Sequence, residues 1–105
     1  MIVLTRFRVP GEGAAEFRAQ AEAAVAVLSA RPGFLGVDLG RNLDEPDLWT
    51  ITTRWADVGS YRRALNGLEA KMVVVPLLSR AVDEPTAYDD PDRVGVNRPR
   101  GQADG

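Results

Sequence analysis

Hydrophobic and polar residues alternate along the start of the chain, over residues 2–9. A two-residue period places successive side chains on opposite faces of the backbone, and it therefore predicts a β-strand. One face of this strand carries Val3, Thr5, Phe7 and Val9. A Pro-Gly pair follows directly and ends the strand.

A longer period replaces this alternation over residues 12–30, where apolar side chains recur every three or four positions. Such spacing predicts an amphipathic helix. The many alanines of the segment favour a helix as well, and an Arg-Pro-Gly sequence ends it. The apolar stripe of this helix consists of Phe17, Ala21, Ala24, Val25 and Leu28.

Two further alternating segments, 34–42 and 48–55, predict a β-hairpin joined by a polar turn that contains a proline. In the first strand, the pattern places Leu35, Val37 and Leu39 on one face and Phe34, Gly36, Asp38 and Gly40 on the other. Two glycines on a single face indicate a bulge or the close approach of another group. In the second strand, one face carries Trp49, Ile51, Thr53 and Trp55.

A second, shorter helix is predicted directly after the hairpin. Asp57 is a favourable N-cap, because its carboxylate can accept a hydrogen bond from the first turn. The apolar stripe that follows is Val58, Tyr61 and Leu65, and an Asn-Gly pair ends the helix.

The last third of the chain gives less uniform signals. Residues 68–78 fit a strand by propensity and a helix by spacing, and we favour a helix that ends at Pro76. Residues 79–89 predict the last strand, which Pro85 restricts to an edge of the sheet or to a bulge. The remaining residues, 90–105, are polar and rich in Gly and Pro, and we predict that they form a tail.

The order strand, helix, strand, strand, helix, strand predicts an α+β fold. The expected architecture is a ferredoxin-like βαββαβ domain over residues 1–89, in which both helices cover one face of a four-stranded antiparallel sheet. The opposite face of the sheet then lies open and partly apolar, which predicts association with another protein surface. Its expected occupants are Ile2, Leu4, Leu48, Thr50 and Thr52.

Composition narrows the chemistry that is available. A net charge of −2 and a pI near 5.1 argue against a nucleic-acid partner. The chain has no cysteine and no histidine, which excludes thiolate nucleophiles, Ser-His-Asp catalysis and histidine-ligated haem or zinc, so we expect no metal. No apolar run reaches the roughly 20 residues that span a membrane, and no signal peptide is recognisable, so we expect a cytoplasmic protein without a membrane partner.

The stretch RPGFLGVDLGRNLDEPDLWTITTRWADVGSYRRAL carries a pattern of its own. The pattern consists of Pro32, Gly33 and Phe34 at the start of one strand, Arg41 near its end, Trp55 at the end of the next strand and Tyr61 six residues later. With this pattern, residues 1–88 resemble the antibiotic biosynthesis monooxygenase family of dimeric α+β barrel proteins. The resemblance implies a homodimer whose sheets pack face to face, and a pocket between each sheet and its helices.

The resemblance also implies an activity. The oxygenases of the family react an electron-rich phenol or anthrone of polyketide type with O2, without flavin, haem or metal, because the deprotonated substrate itself transfers an electron to O2. The implied catalytic residues are Trp55 and Tyr61, and the implied substrate-binding residues are these two with Ile51, Phe34 and Phe17. Some anthrone-oxidising members have an asparagine at the position of Ile51, where it helps to activate oxygen or to hold the substrate oxygen.

Three functions stay open from the sequence, and whether the protein is an enzyme stays open with them. The first is a cofactor-independent monooxygenase that acts on an aromatic polyketide-like or quinol substrate. The second is a non-oxidative cyclase or isomerase on a similar substrate, which needs a general base from a carboxylate, tyrosine or arginine. The third is a non-catalytic dimer that binds a small aromatic metabolite.

Overall fold

The sequence folds into one antiparallel sheet with helices against one of its faces. The computed structural model describes residues 1–96. Its strands are β1 (Ile2–Arg8), β2 (Phe34–Arg41), β3 (Leu48–Trp55) and β4 (Ala87–Tyr88). Its helices are α1 (Ala14–Ser29), α2 (Val58–Ala64), α3 (Val75–Leu78) and α4 (Pro91–Val96), with a 3-10 turn at Gly11–Gly13 and a π-helical turn at Ala70–Val74. The strand order β2-β3-β1-β4, antiparallel throughout, confirms the predicted ferredoxin-like α+β fold.

The core fills the space between the sheet and α1. This placement agrees with the alternating pattern of the strands and the three-to-four-residue spacing of the helix. Val3 and Phe7 of β1 are buried, and the apolar stripe of α1 buries Phe17, Ala21 and Ala24 in the same cluster. The rings of Phe7 and Phe17 are in contact, with 5.0 Å between their centroids. Because burying a phenylalanine side chain contributes about 1.5–3 kcal/mol, this pair is a substantial part of the link between sheet and helix.

The start of β2 differs from the predicted assignment of faces. A bulge lies between Phe34 and Gly36, so that Phe34 pairs with Trp55 while Gly36 pairs with the preceding Arg54. The extra residue turns Phe34 towards the core and leaves Leu35 64% exposed. The prediction that Leu35 shares a face with Val37 and Leu39, opposite Phe34, was therefore wrong, because Phe34 packs on the core with Val37 and Leu39. The bulge that the glycines indicated is confirmed.

The helix α2 begins at the predicted cap. The Asp57 carboxylate accepts a hydrogen bond from the Ser60 N–H at 2.7 Å, and this bond lowers the pKa of Asp57. Ser60 also lies against Gly33, whose φ of 87° is in the left-handed region. Because a Cβ at Gly33 would collide with the Ser60 side chain, only glycine fits where β2 approaches α2.

Residues 68–78, which fit a strand by propensity and a helix by spacing, are helical, but the helix does not end at Pro76. A π-helical turn over Ala70–Val74 comes first, in which the Val75 N–H donates to the Ala70 carbonyl, and α3 then continues to Leu78. Proline lacks the N–H that an ordinary helical turn needs at its position. The wider π turn directly before it lets the chain continue as a helix for one more turn, so the predicted end at Pro76 was wrong.

The last strand is much shorter than the predicted range 79–89. Only Ala87–Tyr88 pairs with β1 as a strand, and it lies at an edge of the sheet as predicted. Upstream, the Val82 N–H donates a hydrogen bond to the Arg6 carbonyl at 2.8 Å. Pro85 interrupts the ladder between these two contacts because it has no N–H to donate.

The polar segment after β4 starts with a short helix. Pro91–Val96 forms α4, at the beginning of the region that the sequence predicts as a tail. Val94 lines the same surface cleft as Met1 and Tyr88, so this helix lies close to β4. The rest of the predicted tail, residues 97–105, lies outside the described residues.

The face of the sheet away from the helices is partly apolar, as predicted, with Ile2 39% and Leu4 36% exposed. The arginines of this face are paired within the chain, Arg6 with Glu84, Arg8 with Glu45 and Asp47, and Arg54 with Asp38. The Arg54 guanidinium lies over Gly36, where a Cβ would collide with it. The close approach that the glycines indicated is therefore made by a side chain of the neighbouring strand.

Trp55 ends β3 in the innermost layer of the core. Only 1% of its surface is exposed, so its indole N–H needs a partner inside the protein. The Thr53 hydroxyl, two residues earlier on the same face of the strand, accepts this N–H at 2.8 Å. The rings of Phe34 and Tyr61 pack on the indole, at 5.3 and 6.0 Å between centroids.

We expect Gly33→Ala to destabilise the protein. The strain of a left-handed backbone costs an alanine about 1–3 kcal/mol, and the collision with Ser60 adds to it. Urea unfolding measures the change. Gly11→Ala is the matched control, because a Cβ there meets open space, and we expect it to leave stability nearly unchanged. Equal stability of the two variants would contradict the contact between β2 and α2.

Thr53→Val leaves the shape of the side chain intact but removes the acceptor of the Trp55 indole N–H. An unsatisfied buried donor costs about 1–3 kcal/mol, and we expect a loss of that size in urea unfolding, followed by tryptophan fluorescence. The neighbouring Thr52 is half-buried on the opposite face, and Thr52→Val should stay within about 0.5 kcal/mol of the wild type. Equal stability of the two valine variants would contradict a stabilising role for the hydrogen bond between Trp55 and Thr53.

Candidate functional site

Three aromatic rings meet where β3 passes into α2. The bulge in β2 turns Phe34 towards Trp55, and the cap at Asp57 sets the direction in which α2 places Tyr61 beside the same indole. These three residues belong to the site that the sequence resemblance implies. The structure therefore brings most of the implied aromatic side chains together at one end of the sheet.

A largely enclosed cavity lies between the sheet and the helices. Its volume is about 30 Å³, and its walls come from β1, β3, α1, α2 and the helical segment that includes Val74 and Leu77. Ile51 and Tyr61 line it, whereas Trp55 and Phe34 do not. Sites for drug-sized ligands measure roughly 300–1,000 Å³, so the cavity in this conformation does not accommodate an aromatic substrate.

A second, open cleft of about 250 Å³ lies at the surface beside Tyr61. Its polar lining residues are Tyr61 and Arg62 of α2 with Tyr88 and Asp89 at the end of β4, and its apolar ones are Met1, Val58, Ala87 and Val94. Two phenols, a guanidinium, a carboxylate and the Met1 amino group, which lies 4.0 Å from that carboxylate, thus surround an apolar surface. Such a set can bind a flat polar aromatic molecule and move a proton.

Tyr61 is the residue that the cavity and the cleft share, and within residues 1–96 no other side chain lines both. Burial raises the pKa of the Tyr61 phenol, so the phenol stays neutral and able to donate a hydrogen bond at neutral pH. Its hydroxyl forms no hydrogen bond with any residue of the described range. This donor is therefore free for a ligand.

Phe17 lies elsewhere in the core. It packs edge-on against Trp49, with 5.4 Å between the ring centroids, and it lines neither the cavity nor the cleft. Trp49 itself is buried beneath the Arg41 guanidinium, 4.7 Å from its ring centroid, and its indole N–H has no partner among the described residues. The geometry gives no support to the substrate-binding role that the resemblance implies for Phe17.

The sequence reasoning missed three polar residues of the cleft, Arg62, Tyr88 and Asp89. Arg62 directly follows Tyr61 on α2, and this adjacency was a usable signal. Tyr88 and Asp89 reach the cleft because β4 pairs with β1, where Tyr88 lies opposite Ile2. No local pattern in the sequence encodes this long-range pairing.

Residues 1–96 contain neither a cluster of metal-ligating side chains nor a membrane-spanning helix. No group of three or more acidic, histidine or cysteine side chains in this range is placed to hold a metal ion. None of the helices in the same range is long and apolar enough to cross a membrane.

Comparison with solved structures gives several similar proteins. SnoaB, a cofactor-independent oxygenase from Streptomyces nogalater, is 26% identical, with a TM-score of 0.69 over 86% of this chain and 94% of that one. A mutant of SnoaB gives 24% identity and a TM-score of 0.74 over 86% and 91% of the two chains. A conserved protein from Methanosarcina mazei Go1 gives 23% identity and a TM-score of 0.67 over 82% and 84%.

Comparison by sequence gives a more direct result. No curated protein is similar enough to count as a match. The model of one family, Antibiotic biosynthesis monooxygenase, matches residues 1–74. The matched region runs from β1 through the π-helical turn and contains Trp55, Tyr61 and the bulge. Because the match covers more than half of the chain, the protein belongs to the antibiotic biosynthesis monooxygenase family.

Proposed function

We propose that this protein is a cofactor-independent monooxygenase that oxidises an electron-rich aromatic substrate, such as an anthrone or a quinol, with O2. The observation that carries the proposal is the Tyr61 phenol, which has no hydrogen-bond partner among residues 1–96 and lies between an apolar cavity and a polar surface cleft. Membership of the family supports the same reaction class. So does the likeness to SnoaB, a cofactor-independent oxygenase.

The cleft is the proposed site of the aromatic substrate. Its volume of about 250 Å³ approaches the lower end of the roughly 300–1,000 Å³ of small-molecule sites. Its open side leaves room for the rest of a larger molecule. Tyr88, 49% exposed at the edge of the sheet, offers a ring for stacking, while the Tyr61 hydroxyl donates to a substrate oxygen.

The charged residues of the cleft fit the first step of the reaction, which is loss of a proton from the substrate. Asp89 is the carboxylate of the cleft, and its side chain is 16% exposed. Its Oδ1 lies 4.0 Å from the Met1 amino group and accepts the Asp90 N–H at 2.8 Å, so Oδ2 is the proposed acceptor of that proton. Arg62 and the Tyr61 phenol are the proposed donors to the oxyanion that results, one charged and one neutral.

The oxidation needs no electron donor other than the substrate. For an anthrone, the anion gives one electron to O2, and the resonance-stabilised carbon radical then combines with superoxide into a peroxide on the methylene carbon. When the O–O bond breaks, one oxygen stays on the carbon as a carbonyl. The other leaves as water with the two hydrogens that the carbon has lost. For an anthrone the balance is anthrone plus O2 to anthraquinone plus water.

We also propose that two copies associate through the open faces of their sheets. Ile2 and Leu4 make the centre of this face apolar, and its arginines are already paired, so burial leaves none of them without a counter-charge.

Tyr61→Phe keeps the ring and removes the free hydroxyl. We expect kcat/KM for oxygen consumption with an anthrone or hydroquinone to fall about tenfold to a hundredfold, because one hydrogen bond to the developing oxyanion is lost. An oxygen electrode measures the rate. Protein-free and heat-denatured samples are subtracted, since such compounds oxidise spontaneously.

Arg62→Gln tests whether a positive charge in the cleft contributes to turnover, and Arg63→Gln is the control. Arg62 lines the cleft, while Arg63 lines a separate surface pocket beside Arg31 and Ser60. Because both arginines are exposed, we expect only about a tenfold loss of kcat/KM for Arg62→Gln and none for Arg63→Gln. Equal losses would contradict the cleft as the site. Conversion of the substrate without O2 would instead select the cyclase or isomerase function.

Leu4→Asp places a carboxylate at the centre of the open face. We expect it to convert a dimer into a monomer, because burying an unpaired charge is strongly unfavourable. Leu68, 74% exposed before the π-helical turn, is the control, and Leu68→Asp should leave the mass in solution unchanged. Sedimentation velocity measures both. A monomeric wild type, or a folded Leu4→Asp protein with the wild-type mass, would refute the proposed interface.

A further inference from the structure

An open surface pocket lies on the side of α2 that faces away from the cleft, between this helix and the turn that joins α1 to β2. Its lining residues are Arg31, Pro32, Ser60, Arg63 and Ala64. Those from α2 occupy positions 60, 63 and 64, on the opposite face of the helix from positions 58, 61 and 62, which line the cleft. The pocket is therefore separate from the proposed aromatic site, and an inference about it does not rest on the proposed function.

Two guanidinium groups line this pocket, and none of its lining residues is acidic. Other arginines, such as Arg6, Arg54 and Arg80, lie within 4.0 Å of a carboxylate. Among residues 1–96, neither Arg31 nor Arg63 has such a partner, although the chain has 15 acidic and only 13 basic residues. Two like charges at one pocket repel each other, and an anion between them removes this repulsion.

The structure around the two guanidinium groups holds them at the pocket. The Arg31 N–H donates to the Leu28 carbonyl at 3.0 Å, and the Arg31 carbonyl accepts the Phe34 N–H at 3.2 Å. The Arg63 Nη2 donates to the hydroxyl of the buried Ser60 at 3.4 Å, which leaves the other nitrogens of this guanidinium as donors for a ligand. Groups that are ordered before a ligand arrives lose less entropy when it binds.

Asp57 is the carboxylate that interacts with Arg63 from a longer distance. It accepts the Ser60 N–H and forms no ion pair within 4.0 Å with either arginine of the pocket. Both Asp57 and Arg63 are exposed, and the attraction between exposed charges contributes little. The pocket therefore keeps its positive charge.

We propose that this pocket binds a phosphate group between the Arg31 and Arg63 guanidinium groups. A guanidinium donates two parallel N–H groups to the oxygens of a phosphate. A phosphate monoester carries a charge of about −1.5 to −2 at pH 7, so it balances two guanidinium groups, whereas a carboxylate balances only one. Because the pocket is open to solvent, free phosphate and a phosphate monoester share the chemistry that it recognises.

The binding is tested on the full chain with inorganic phosphate. The Nε–Hε signals of the arginines are followed by NMR at about pH 7, while phosphate replaces chloride at constant ionic strength. We expect saturable shifts at Arg31 and Arg63 with a Kd of about 1–10 mM, because exposed charges bind weakly. Arg18, which is paired with Glu22, should shift little. Shifts that do not saturate, or that are equally large at Arg18, would overturn the site.

Arg31→Gln removes one of the two guanidinium groups. We expect it to weaken phosphate binding about tenfold, because charge-assisted hydrogen bonds are lost. Arg62→Gln is the matched control, since Arg62 carries the same charge on α2 but lines the cleft, and the Kd should stay within about twofold. An equal loss in both variants would show general charge attraction and overturn the pocket. If Arg31→Gln does not fold, Arg63→Gln takes its place, because Arg63 is exposed.

Other anions identify the chemistry of the ligand. Phenyl phosphate that binds as tightly as inorganic phosphate would assign the pocket to monoesters, and binding of inorganic phosphate alone would assign it to the free ion. From about pH 7 to about pH 5.5, phosphate loses most of its second charge, whereas no residue that lines the pocket titrates. Asp57 stays ionised, because its hydrogen bonds from Ser60 lower its pKa. We expect phosphate to bind several-fold more weakly at the lower pH and sulfate to bind equally at both. Acetate that binds as tightly as sulfate would overturn the assignment to phosphate.

Discussion

The hydrogen bond from the Trp55 indole to the Thr53 hydroxyl is the interaction on which the candidate site depends. A buried indole N–H that stays unsatisfied costs free energy, and for Trp55 the same strand supplies the acceptor. The buried indole then becomes a fixed surface on which Phe34 and Tyr61 pack. This packing holds Tyr61 at the boundary between the core and the cleft.

The sequence predicts this fold well because each element that packs on the core buries side chains at a regular spacing. This spacing is every second residue in a strand and every third or fourth residue in a helix. The alternation of β1 and β3 and the stripe of α1 each report one buried face. The buried residues confirm these faces, except that on α1 Val27 is buried and Val25 is half-buried. It fails where the structure depends on a contact with a distant segment. The bulge that exposes Leu35 follows from pairing with β3, and the helix that passes Pro76 follows from one π-helical turn. The cleft depends on such a contact too, since Tyr88 and Asp89 meet Tyr61 only through β4.

Ile51 sets the polarity of one wall of the cavity beside Tyr61. Some anthrone-oxidising relatives are expected to carry an amide at this position, and an amide would give the cavity a polar wall. With Ile51 the wall is hydrocarbon, and the polar groups are concentrated on the other side of Tyr61. The proposed function therefore uses the cleft for proton transfer and charge stabilisation, and the interior beside Ile51 is mainly apolar.

Gly36 and Arg54 share one volume on the open face of the sheet, because the guanidinium occupies the place of the missing side chain. The guanidinium is the far end of a flexible side chain that is 47% exposed, so it can move aside for a Cβ at position 36. That movement takes it away from the Asp38 carboxylate, with which it is paired at 3.0 Å. A side chain at position 36 therefore competes with Asp38 for the position of the Arg54 guanidinium.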